Sequence, residues 1–171
     1  MLNNLPPHFK FPLLAVAVMA VVKVSFYQFG VEMQQASNIQ IFIHMAMIIL
    51  VIFLSLHRLD KNPERKDEFI DDAKDGLKAG AVYSLLATSL VVIYYNFIDP
   101  GFFPEMQERV YQRSLAEEPD LTPEELREKV ESFFNLSNWV LATLTGFIAL
   151  SIVYSLLVSL FMKVLRKFRR G

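Results

Sequence analysis

The chain has no cysteine, which excludes disulfides, a thiolate nucleophile, iron–sulfur clusters and cysteine-based zinc sites. Its three histidines, His8, His44 and His57, are too scattered for metal-ligand spacing. Glu117, Glu118 and Asp120 read as a solvated bend, not an ion cage. There is no glycine-rich phosphate loop, no His-Glu-x-x-His and no Gly-x-Ser-x-Gly elbow, so nothing supports an NTPase, a zinc protease or a serine hydrolase. The formal net charge is only −1, and no surface combining basic and aromatic residues suggests nucleic acid as a partner. No internal repeat stands out, so an inverted-repeat transporter is not suggested. Neither an enzyme nor a cofactor is expected.

What is present is apolar sequence in blocks. Of the 171 residues, 53% are hydrophobic and 13% aromatic, and the charges fall between the apolar runs, so residues 1–171 read as a single membrane domain. A hydrocarbon core needs roughly 20 helical residues to cross, and four runs meet that length. The sequence predicts spans over about 11–31, 38–57, 77–98 and 137–162. The first run imitates a signal peptide, but it lacks a small-x-small cleavage pattern and continues past the usual length.

The third span organises the rest. Gly76, Gly80, Ser84 and Thr88 recur every four residues and stack on one side of a helix, where short side chains let a neighbouring backbone approach. Ser151, Ser155 and Ser159 form a second small-residue stripe in span four, and the two stripes are expected to pack together. Tyr94, Tyr95 and Asn96 suit a membrane interface, and Asp99-Pro100-Gly101 stops the helix.

Residues 99–136 carry ten acidic and four basic side chains. Pro104 to Ala116 has helical character, and Thr122, Pro123 and Glu125 form a capping box with proline at the first helical position. A helical hairpin is the natural shape. The expected fold is therefore all-α, an integral membrane four-helix bundle with an extramembrane helical hairpin between spans three and four.

Before span three, Asn62 and Pro63 predict a helix start, and Phe69, Ile70, Ala73 and Leu77 share a face. Asp67, Asp71 and Asp75, spaced by four, repel one another unless something basic approaches. Lys163, Arg166, Lys167, Arg169 and Arg170 of the tail are candidates to dock there; a solvated face and a lipid-headgroup anchor are the alternative. The segment between spans two and three, taken through Lys78, holds six Lys and Arg, the tail five, and the first connection none. By the positive-inside rule both termini are cytoplasmic and the acidic hairpin faces outward.

Lys23 is the main anomaly, because an ionisable group inside a span is costly. It lies eight residues before the expected outer end of span one, and His44 six residues inside the same end of span two. At 1.5 Å per residue both sit roughly 9 to 12 Å from that boundary. Thr143 and Thr145 of span four match that level, so Lys23, His44 and a threonine form a candidate polar cluster, suited to a proton or an anion. The alternative is a lysine snorkelling toward Glu32 or lipid phosphate and a histidine bonded to a neighbour.

Several of these features occur together elsewhere. Ala73 to Gly80 leading into span three, then Tyr94-Tyr95-Asn96-Phe97-Ile98-Asp99-Pro100, Phe102 or Phe103, Met106, a charged helical loop and a final apolar span resemble a family of small four-span inner-membrane proteins. That family is found mainly in Bacteroidota and is labelled a domain of unknown function. The likeness covers roughly the second half of the chain; the first half matches only in span layout. It implies a four-helix inner-membrane fold in a diderm bacterium and brings no activity and no catalytic residues. The expected function is that of a structural or assembly partner, with the bilayer and either a membrane-protein partner or a second copy as its contacts. A small transporter or channel subunit using Lys23 and His44 is the second reading.

Overall fold

The computed structural model describes residues 5–31, 33–61, 68–117 and 121–170. Among these residues the chain forms six α-helices and no strand: α1 (Pro7–Gln28), α2 (Met33–Leu59), α3 (Phe69–Phe97), α4 (Phe102–Glu117), α5 (Pro123–Phe133) and α6 (Leu136–Arg170). Four stretches are long and apolar enough to cross a membrane: Pro7–Gln28, Asn38–Leu59, Phe69–Phe97 and Leu136–Phe168. Glu32, Asn62, Pro63, Asp67, Glu118 and Asp120 lie outside the described residues.

Local chemistry explains where the helices begin and end. Pro7 stands at the start of α1, where its fixed φ suits the helix and its missing N–H costs nothing. The helix stops at Gln28, before the expected end at 31, because the chain turns at Gly30 with φ of +62°, a conformation that glycine adopts without a Cβ clash. α3 starts at Phe69 and runs unbroken to Phe97, so Asp71, Asp72, Lys74 and Asp75, ahead of the expected start at 77, belong to the same helix as span three. α5 has its capping box: the Thr122 hydroxyl accepts from the Glu125 N–H, and the Thr122 N–H donates to the Glu125 carboxylate at 2.9 Å. α6 continues eight residues past the expected end at 162, since its last turns hold neither glycine nor proline to stop it.

The chain divides into two compact units, residues 1–87 with 144–171, and residues 88–143. The core of the first is built from Ala15 of α1, Ile48, Val51, Ile52 and Leu56 of α2, Ala79, Tyr83 and Ala87 of α3, and Val158 and Met162 of α6. The spacing of four in Ala79, Tyr83 and Ala87 puts all three on one face of α3. Elsewhere in this unit Val21, Phe42, Leu85 and Leu157 are exposed, a distribution that water would penalise.

In the second unit α4 and α5 lie against each other. The Arg127 guanidinium sits 4.5 Å over the Tyr111 ring and 3.3 Å from Glu108. Gln107 Nε2 donates to the Phe134 carbonyl at 2.6 Å, and Leu126 and Val130 supply the buried face of α5. Tyr95, Phe102, Phe103 and Trp139 form an aromatic cluster with centroid separations from 4.4 to 6.3 Å.

Candidate functional site

Polar side chains buried inside the first unit are the chemically informative feature. Lys23 of α1 is buried, and its ammonium donates to Gln40 Oε1 of α2 at 3.0 Å. One turn along α2, His44 is also buried and shares a 2.6 Å hydrogen bond between its Nδ1 and the hydroxyl of Tyr83 on α3. Gln40 and His44 are four residues apart and so face the same way. Phe147 of α6 completes the surroundings, with its ring 4.8 Å from that of His44. All four helices of this unit thus contribute to one region.

The threonines behave differently. Thr145 is exposed and has no hydrogen bond to Lys23 or His44 among the described residues. Residue 147 lies about 200° around the helix from residue 145, so α6 sets Phe147 against His44 while Thr145 points elsewhere. Depth along a helix was the basis for grouping Thr145 with the others, and depth says nothing of the face. Thr143 is half-buried and belongs to the second unit.

The structure brings the two small-residue stripes together. A Cβ built on Gly80 would stand 2.6 Å from both Cβ and Oγ of Ser151, and one on Gly76 would stand 3.3 Å from Ser155 Cβ and 3.1 Å from Ile52 Cγ2. Ser84 Oγ lies 3.3 Å from Ser151 Oγ and donates to the Gly80 carbonyl at 2.8 Å. Ser155 and Ser159 are buried and return their hydroxyl protons to carbonyls one turn back, Ser151 O and Ser155 O. Those bonds satisfy each hydroxyl within its own helix. Thr88 is buried in the second unit, with its hydroxyl unbonded among the described residues.

At one end of the first unit the seam closes on charge. Arg166 of α6 donates to Asp72 through Nη1 at 2.6 Å and Nη2 at 3.1 Å, and its Nε donates to Asp60 at 2.6 Å. This is a forked pairing with the added geometric specificity of a guanidinium. Asp72 is fully buried and sits four residues before Gly76, in register with the small-residue stripe. The tail therefore docks on α3 through Asp72, a residue outside the acidic row expected for it. Asp71 and Asp75 are half-buried and pair within α3 with Lys74 at 3.8 Å and Lys78 at 2.9 Å; Asp67 lies outside the described residues.

In the second unit the described Glu, Lys and Arg side chains of α4 and α5 lie at the surface, whereas Tyr94 and Tyr95 are buried. Hydrogen bonds from the Thr122 backbone N–H and then its hydroxyl hold the Glu125 carboxyl below its ordinary range. A bond from Gln112 and the charge of Arg127 do the same for Glu108. Among the described residues, no group of three or more His, Asp or Glu could hold a metal ion.

Sequence reasoning missed Gln40, Tyr83, Asp60 and Asp72. Two had a visible signal: Tyr83 is a tyrosine in the interior of a span, away from the interface that tyrosine favours, and Asp72 extends the four-residue register of Gly76 and Gly80. These observations define an all-helical protein with four long apolar helices and a polar seam between them. The family model for a protein of unknown function, DUF4199, matches residues 10–164, and the chain belongs to that family. The match runs from within the first apolar helix to within the last, further than the second half of the chain that carries the likeness. No curated protein and no solved structure matches it.

Proposed function

We propose that the chain is a four-span integral protein of a bacterial inner membrane, with both termini in the cytoplasm. It acts without catalysis as a structural or assembly partner, presenting the acidic helices between spans three and four as an interaction surface. The observation that carries this reading is the use made of buried polar groups in the first unit. Lys23 bonds to Gln40, His44 to Tyr83, Ser84 contacts Ser151 and Arg166 binds Asp72, each joining one helix to another. Helices in lipid gain little from apolar contact with one another, so close packing at small residues and interhelical hydrogen bonds do most of the joining. The orientation rests on Lys and Arg near the span ends, and the bacterial inner membrane on the likeness to the Bacteroidota proteins.

The bilayer is the first partner, and another membrane protein or a second copy is the next. Gentle extraction of the tagged protein from native membranes should return a complex of fixed stoichiometry, and replacing residues 104–131 with a Gly-Ser linker should dissociate it. A monomer under all mild extractions, or a complex indifferent to the linker, overturns the reading. The second reading, a small transporter or channel subunit, is favoured by the burial of Lys23 and His44 on adjacent turns of one polar region. Ion flux in liposomes that is lost in Lys23→Met and His44→Phe would select it.

A further inference from the structure

The basic residues at the end of α6 point in two directions. Arg166 is turned inward onto Asp72 and Asp60. Lys163 and Lys167 are exposed and take part in no ion pair among the described residues. Leu156, Leu160, Lys163 and Lys167 follow at i, i+4, i+7 and i+11, so they form a single line along the helix. Leu156 and Leu160 are exposed, which places that line away from the core. Val164 and Phe168 flank the lysines, and Phe168 is 81% exposed.

The line changes from leucine to lysine at a telling length. Trp139 to Leu160 spans about 33 Å at 1.5 Å per residue, close to the roughly 30 Å of a hydrocarbon core. Lys163 therefore falls where acyl chains give way to headgroups, and its stem can lie along the apolar layer while the ammonium reaches the phosphates. Two more exposed cations, Arg58 and Lys61, stand on either side of Asp60, which Arg166 holds, so they belong to the same end of the unit. Charge on neighbouring α3 is offset locally, since Lys74 and Lys78 have Asp71 and Asp75 within 4 Å.

We infer that Lys163 and Lys167, with Phe168 beside them and Arg58 and Lys61 nearby, form a surface that binds the headgroups of anionic phospholipids. The inference rests on the membrane-spanning reading above and adds lipid selectivity to it. Attraction of exposed basic residues to an anionic surface supplies affinity, and the neighbouring phenylalanine holds the helix end at the boundary.

The test uses the full-length protein in nanodiscs of mixed phosphatidylcholine and phosphatidylglycerol, with native mass spectrometry counting the lipids that remain bound. Phosphatidylglycerol should be enriched over its bulk share. The enrichment should fall about five-fold for each lysine neutralised in Lys163→Gln and Lys167→Gln, and it should weaken with added salt. Lys163→Arg with Lys167→Arg should keep it, and Lys74→Gln, whose ammonium already faces Asp71, should leave it unchanged. Bound lipid at the bulk ratio, or the same enrichment in the doubly neutralised variant, overturns the inference, including the case in which the cations serve an acidic protein instead. Alkaline carbonate extraction separates the two levels: a chain that resists extraction yet shows no lipid preference loses only this inference, whereas an extracted chain loses the spanning reading as well.

Discussion

Two arginines, one in each unit, show how position changes the worth of the same chemistry. Arg127 meets Glu108 at 3.3 Å with the side chains 52% and 50% exposed; Arg166 meets Asp72 at 2.6 Å with them 9% and 0% exposed. Water competes for the first pair and screens it, so it contributes little. The second pair has been withdrawn from solvent at a desolvation cost that its forked geometry and the extra bond to Asp60 offset. Such a pair is not a large net source of stability, but breaking it is expensive, because an uncompensated charge is left inside. The ion pair of the first unit thus tolerates no vacancy, and that of the second can be remade in water.

The largest effect should come from removing one side of the buried pair. Asp72→Ala is expected to lower the unfolding free energy of the detergent-solubilised protein by about 3 to 5 kcal/mol. Arg127→Gln in the same assay should produce no resolvable change. Replacing Asp72 and Arg166 together with apolar residues of similar volume should recover part of the loss, although Asp60 then loses its partner too. Equal effects of Asp72→Ala and Arg127→Gln would abolish the distinction drawn between the units.

Next in size is the helix contact at Gly80. A Cβ there meets Ser151 at 2.6 Å, a distance that requires α3 or α6 to shift, so Gly80→Ala should cost about 1 to 3 kcal/mol. Combining it with Ser151→Gly removes the obstructing atoms and should return most of that loss. Gly30→Ala is a useful contrast: nothing lies within 4 Å of its Cβ position, so any penalty there reflects the positive φ alone. Tyr83→Phe should be milder, about 1 kcal/mol, since it removes one hydroxyl and leaves His44 Nδ1 without that bond while the ring packing stays. A Tyr83→Phe loss as large as that of Asp72→Ala would mean that the hydroxyl, not the salt bridge, governs the seam.

How much of this was legible follows from what periodicity encodes. A repeat of four carries both the face and the spacing of a helix, so the small residues of α3 and α6 announced a packing seam, and the Thr122 and Glu125 pattern announced the start of α5. Distances between helices are not written in any one helix. Lys23 and His44 were matched by depth, but their partners, Gln40 and Tyr83, depend on how α1, α2 and α3 are rotated. Thr145 shows the converse, a residue at the right level on the wrong face. The sequence points the tail to the row of Asp67, Asp71 and Asp75, since a charge repeated every four residues is easier to see than one aspartate in line with glycines. Asp72 carries the contact because it lies on the seam face, where Arg166 also emerges.

The smallest effect separates the units by pH. Glu125 has its carboxyl pKa held down by the backbone N–H of Thr122 first and its hydroxyl second. A carboxylate depressed in the folded state contributes stability that is present above its unfolded pKa and fades as pH falls through the folded value. Acidification into and below the ordinary carboxylate range should therefore loosen the first turn of α5 before anything else at that end of the helix. Amide hydrogen exchange at Thr122 and at position 125 is the measurement, since these two N–H groups make the capping box, with Glu125→Gln as the control, because a neutral amide still accepts from Thr122 and removes the acid dependence. The backbone amides of His44 and Tyr83, in the interiors of α2 and α3, should keep their exchange protection over the same range. Parallel loss of protection at both places would show that the units open together, and the contrast between a remade surface and a sealed interior would not survive.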